Sequence, residues 1–73
     1  MEKQIDVKVL KYIPKSLHKL VTACDRYERY PSGYGYNVIF DDEQESSIFA
    51  DSVEGLRWAC KAYQNGQRGV IYG

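Results

Sequence analysis

Ser16-Leu17-His18-Lys19-Leu20-Val21-Thr22-Ala23-Cys24-Asp25-Arg26-Tyr27 is the stretch on which the fold turns, because it supports two readings. Leu17, Leu20, Cys24 and Tyr27 are spaced 3, 4 and 3 residues apart. At about 100° per residue they share one stripe, flanked by Val21 and Ala23. Pro14 precedes the stretch, and Ser16 can cap a helix that begins there. The spacing predicts an amphipathic helix over residues 16–28. The rival reading takes residues 19–30 as a strand, because Leu20 to Tyr30 also has moderate β content. The chain would then be a β-meander with one helix.

The second half of the chain favours the helix. Ser16, Leu20, Ala23, Cys24 and Tyr27 recur as Ser52, Leu56, Ala59, Cys60 and Tyr63, an offset of 36 residues in a chain of 73. The same offset carries Gly33 onto Gly69, Tyr36 onto Tyr72, and Leu17 onto Val53. A unit written twice implies two similar supersecondary units related by a pseudo-two-fold. Residues 1–11 and 37–47 do not share the repeat.

Outward from these segments, residues 4–13 alternate, with Ile5, Val7, Val9 and Ile13 on one side and Gln4, Asp6 and Lys8 opposite. That is a strand pattern with one buried face, broken at Leu10 and Tyr12. Pro31-Ser32-Gly33 forces a turn. Tyr34 to Phe40 reads as a strand with Tyr36, Val38 and Phe40 on one face. Asp41 to Gln44 is a polar hairpin connection, and residues 46–50 make a short return strand. Asp51 or Ser52 caps the second helix, Asn65-Gly66 stops it, and Arg68 to Tyr72 makes a last strand. The expected fold is α+β: a small ferredoxin-like β-α-β-β-α-β sandwich, one antiparallel sheet with two helices on one face. Residues 1–73 read as a single domain.

The bulk composition excludes several classes. Residues 1–36 hold seven Lys/Arg against four Asp/Glu, a net +3, and residues 37–73 hold three against six, a net −3. The formal net charge of zero gives no basic excess for non-specific phosphate binding. Two cysteines make neither a disulfide framework nor a zinc pattern. The start of the chain lacks an apolar signal core, and no run reaches the roughly 18 apolar residues of a membrane span. A cytoplasmic protein with reduced thiols is the expectation.

Catalytic chemistry finds little footing. Cys24 and Cys60 lie within the apolar stripes and read as small buried hydrophobes. A redox-sensitive pair across the pseudo-two-fold is the functional rival. His18, the only histidine, has Val21 and Thr22 at i+3 and i+4, so no metal site forms around it. The acidic run Asp41-Asp42-Glu43-Gln44-Glu45 lacks the EF-hand spacing and reads as a solvated tip. Gly33-Tyr34-Gly35 does not lead from a strand into a helix, as a phosphate cradle requires. No catalytic residue, metal or cofactor is assigned.

Recognition has better support. Seven tyrosines occur in the chain, and Arg29-Tyr30-Pro31-Ser32-Gly33-Tyr34-Gly35-Tyr36 has the Tyr, Ser, Gly and Arg composition of a paratope. Trp58 falls about 140° from Val53 on the second helix, off the Leu56/Cys60/Tyr63 stripe, which makes it a candidate anchor. A four-stranded sheet with both helices on one side leaves its other face open, and Leu10 and Tyr12 would project there. The RNA-recognition motif has this topology, but its RNP1 pattern is absent from residues 46–50.

The expected function is a non-enzymatic protein-binding module. It would be an adaptor or inhibitor of the kind phages and mobile elements encode, docking by Tyr12, Arg29, Tyr30, Tyr34, Tyr36 and Trp58. Homodimerisation through a sheet edge or the open face is part of that expectation. Single-stranded nucleic-acid binding through the open sheet face is the alternative.

Overall fold

From Val21 to Glu28 the chain is extended, and the rival reading of the opening stretch is the one realised. The computed structural model describes residues 4–29 and 31–73. Its elements are α1 (Val7–Leu10), a 3₁₀ helix (Lys15–Leu20), β1 (Val21–Glu28), β2 (Tyr34–Phe40), β3 (Ser47–Ala50), α2 (Val53–Gln64) and β4 (Val70–Tyr72).

Why the stripe misleads is visible in the register of β1. Val21 pairs with Phe40 but Ala23 pairs with Ile39, so two steps along β1 oppose one step along β2. Thr22 is the extra residue of a β-bulge. The bulge puts Val21 and Cys24, three apart, on the same buried face, as a helix would. Buried Leu17 belongs to the preceding 3₁₀ helix, which supplies the remaining four-residue step. A bulge and a 3₁₀ turn together imitate the burial period of an α-helix. Val21 and Thr22 are β-branched and weak helix formers, so local preference agrees with the strand.

The first segment also departs from expectation. Residues 4–13 do not form a strand. Only Ile5 bridges to the sheet, parallel to Cys24, with Cys24 N–H donating to Gln4 O at 2.8 Å and Asp6 N–H donating to Cys24 O at 3.0 Å. Asp6 then caps α1, its carboxylate accepting from Lys8 N–H at 2.9 Å. Val7 is 72 % exposed while Val9, Ile13 and Leu17 are buried, so the operative spacing is four, not two.

The second half follows its pattern. Ser52 Oγ accepts from Gly55 N–H at 3.0 Å and opens α2, whose buried face is Leu56, Ala59, Cys60 and Tyr63. Gly66, at φ +107°, ends it in a conformation that suits glycine. The internal repeat is therefore one of residue types: its first copy is mostly strand and its second is helix.

The sheet runs β1-β2-β3-β4, with the first two pairings antiparallel and β3–β4 parallel. The fold is α+β, but the ferredoxin-like arrangement is corrected. In that sandwich the strands of each βαβ unit are split apart, whereas here β3 and β4 lie side by side with α2 as their crossover. The sheet is mixed and has an antiparallel meander at its front. One face packs against α1, the 3₁₀ helix and α2, and the core lies between: Val9, Ile13 and Leu17 from the first segment, Val38, Phe40, Ile48 and Ile71 from the sheet, and the α2 stripe. Each large apolar side chain buried there contributes about 1.5–3 kcal/mol. Among the described residues no helix is long and apolar enough to cross a membrane.

Candidate functional site

Strand pleating fixes which side chains stand on the sheet face away from the helices. One row across the sheet is Asp25, Asn37, Phe49 and Tyr72, each paired with the next. The neighbouring row is Ala23, Ile39, Ser47 and Val70, and beyond Asp25 stands the pair Tyr27–Gly35. Five of these ten are large apolar side chains left exposed: Tyr27, Ile39, Phe49, Val70 and Tyr72, the last at 73 %. Phe49 and Tyr72 stack with ring centroids 6.0 Å apart. The Tyr27 ring lies across Gly35, where a Cβ would collide with it.

Among the described residues, the charge at the register positions and along the grooves of this face has one sign. None of the ten positions is Lys or Arg. Asp25 stands at the end of the aromatic row, and Asp41 and Glu45 line a shallow groove with Thr22, Asn37, Ile39, Ser47 and Phe49. A second shallow groove, lined by Gln4, Ala23, Cys24 and Asp25, shares Asn37 and Ile39 with the first. Between the grooves, Asn37 Oδ1 is buried and has no hydrogen-bond partner among the described residues. Glu45 is held at φ +50°, a left-handed conformation that costs a non-glycine residue about 1–2 kcal/mol, and its N–H donates to Asp42 O at 3.0 Å.

The residues singled out from sequence are dispersed. Tyr36, 6 % exposed, is a core residue on the helix-covered face. Tyr12 meets it edge-on, centroids 6.3 Å apart, with Lys11 and Arg57 over its ring at 5.3 and 5.8 Å. Tyr12 and Leu10 therefore lie on the helical side, not on the open sheet face, because residues 4–13 are not a strand. Tyr34 is exposed but lies under the Arg26 guanidinium at 4.5 Å. Arg29 is paired with Asp51 at 2.8 Å. Tyr30 lies outside the described residues. Trp58 is 61 % exposed on the outer side of α2, beside Lys61, Ala62 and Asn65, across the molecule from the open face.

Sequence reasoning missed Tyr27, Ile39, Phe49, Val70 and Tyr72 as surface anchors. A signal for Ile39, Val70 and Tyr72 existed: Val38-Ile39-Phe40 and Val70-Ile71-Tyr72 are apolar on both faces of their strands. In a sheet covered on one side only, that leaves apolar groups outside.

The titratable groups elsewhere serve structure. Cys24 and Cys60 are buried free thiols. Burial pushes the Cys60 thiol up to about 11, and burial is also the main cause raising Cys24. Neither has the electropositive, accessible setting of a reactive thiolate. His18 Nε2 donates to Ile13 O at 2.7 Å and pins the start of the 3₁₀ helix.

Asp42 is no solvated tip. Its Oδ1 accepts from Gln44 N–H at 2.9 Å and Ser46 N–H at 3.0 Å, and its Oδ2 accepts from Tyr63 Oη–H at 2.8 Å. Hydrogen bonding from the Ser46 hydroxyl first, then from these donors, lowers its carboxyl to about 2. Among the described residues no group of three or more His, Cys, Asp or Glu is placed to hold a metal ion. Comparison of the chain with known protein families, with characterised proteins and with solved structures found no match.

Proposed function

We propose that the chain is a protein-binding module that docks through the open face of its sheet and acts by occluding or adapting its partner. The observation that carries this reading is the set of exposed aromatic and aliphatic side chains spread over three rows of one sheet face, Tyr27, Ile39, Phe49, Val70 and Tyr72, framed by polar groups. Apolar anchors inside a polar rim are the anatomy of a protein interface. Tyrosines on a strand scaffold present large contact area at small entropic cost. Trp58, exposed on the far side, makes a second, smaller anchor.

The same face is a poor seat for single-stranded nucleic acid. Stacking on Phe49 and Tyr72 is available, but a strand also needs cations along its phosphates. This face offers Asp25, Asp41 and Glu45 instead. Adaptor and inhibitor roles belong to this same class of action.

The test is site-specific photocrosslinking in the cells that make the protein, with a benzophenone amino acid at Tyr72 in one variant and at Gln64 in another. One discrete protein adduct from position 72, resistant to nuclease and absent from position 64, is the expected result. Adducts that vanish on nuclease treatment, or none at position 72, would overturn the reading.

A further inference from the structure

Resting on the docking role just proposed, we infer that the open sheet face takes a basic, apolar polypeptide segment, one that presents Lys or Arg together with aliphatic or aromatic side chains on a single face. Two independent features select that occupant. The first is charge: Asp25 on the face and Asp41 and Glu45 along its groove are unrelieved by any Lys or Arg at the ten register positions. An arriving cation gains from all three, while an acidic surface is repelled. The second is hydrogen bonding: Asn37 Oδ1, buried between the grooves, lacks a donor among the described residues. Burying an acceptor unpaired is costly, and a guanidinium or ammonium from a bound segment supplies the missing N–H.

The apolar component follows from geometry. Asn37 is the cross-strand neighbour of Phe49, which pairs in turn with Tyr72, so a cation at Asn37 is followed one inter-strand spacing away, about 4.8 Å, by an aromatic bed. Arginine on an aromatic face is itself favourable. A second copy docked face to face is disfavoured, because it would bring two sets of the same carboxylates together.

The experiment is an NMR titration of the ¹⁵N-labelled full chain at low salt with two synthetic peptides, one repeating Arg-Ser-Ile-Ser, which puts Arg and Ile on one face when extended, and one with Glu in place of every Arg. The Arg peptide is expected to shift the amides of Asn37, Ile39, Phe49 and Tyr72. Its affinity should fall about tenfold in Asp25→Asn/Glu45→Gln, in line with the loss of close charge pairs, and fall again as salt is raised. Equal binding of the Glu peptide would overturn the charge selection while leaving protein docking on this face standing. Shifts confined to Trp58 and its helix would overturn the assignment of the face. Concentration-dependent shifts on the face without peptide would make a second copy the occupant and also overturn it.

Discussion

Asp42 ties three parts of the chain together. It closes the β2–β3 turn through Gln44 and Ser46 and reaches Tyr63 near the end of α2. Tyr63 is stacked on Phe40, centroids 4.0 Å apart, with Arg68 4.1 Å over its ring. Tyr63→Phe keeps the stack and loses only the hydroxyl. Urea unfolding should show a loss of about 2 kcal/mol, the scale of a hydrogen bond to a charged group, with an unchanged m value. A change under about 0.5 kcal/mol would mean the hydroxyl is not coupled to Asp42.

The Asp42 carboxyl, at about 2, lies below its ordinary value of 3.8. A lowered carboxyl contributes stability that is full above the unfolded value and lost as pH falls through the folded one. The chain should therefore weaken between about pH 4 and pH 2. Asp42→Asn should flatten that part of the pH–stability curve; an unaltered slope would assign the acid sensitivity elsewhere.

Gly55 gives a second residue-scale prediction with an unusual sign. On an exposed helix, Gly→Ala gains about 1 kcal/mol. Here a Cβ on Gly55 would lie 2.6 Å from the Gly73 carbonyl carbon, a backbone atom and not the end of a flexible side chain. Gly55→Ala should destabilise by about 1–3 kcal/mol, as overpacking does. A gain in the urea midpoint would show that residue 73 does not pack there.

At the scale of elements, legibility followed how local the determinants are. α2, β2, β3 and β4 could be read because cap, periodicity and turn residues all agree within each segment. Residues 4–28 could not, because three non-local facts decide them. Asp6 caps a one-turn helix, Thr22 bulges, and Cys24 is bridged by Ile5. Each breaks a simple period, and in combination they counterfeit another.

The face of the sheet was misassigned for the same reason, since Tyr27 belongs to the core only if β1 is a helix. Gly35 is the matching signature on β2, a glycine opposite a tyrosine whose ring covers it. Gly35→Ala should displace that ring and destabilise the chain. Tyr27→Ala should recover part of the loss in the double variant, with a coupling of about 0.5–1.5 kcal/mol in a thermodynamic cycle. Strict additivity would place the Tyr27 ring elsewhere.

At the scale of the whole molecule, the two layers differ in what they leave outside. The helical side carries Lys61 and Trp58 at its surface, and the sheet side carries aromatics and carboxylates. A surface kept for docking adds little to folding. Tyr72→Ser, at a position 73 % exposed, should change stability by no more than about 0.5 kcal/mol while abolishing photocrosslinking from its neighbours. A large loss of stability would make Tyr72 a structural residue.

All of this depends on residues 21–28 being a strand, because only then do Tyr27, Asn37 and Phe49 share an uncovered face. The direct measurement is the pattern of NMR Overhauser contacts across that segment. Long-range contacts from Asp25 to Asn37 and from Arg26 to Tyr36, with no i-to-i+3 contacts between 21 and 28, are the predicted result. Sequential amide–amide and i-to-i+3 contacts through Val21–Glu28, without cross-strand partners, would contradict the account.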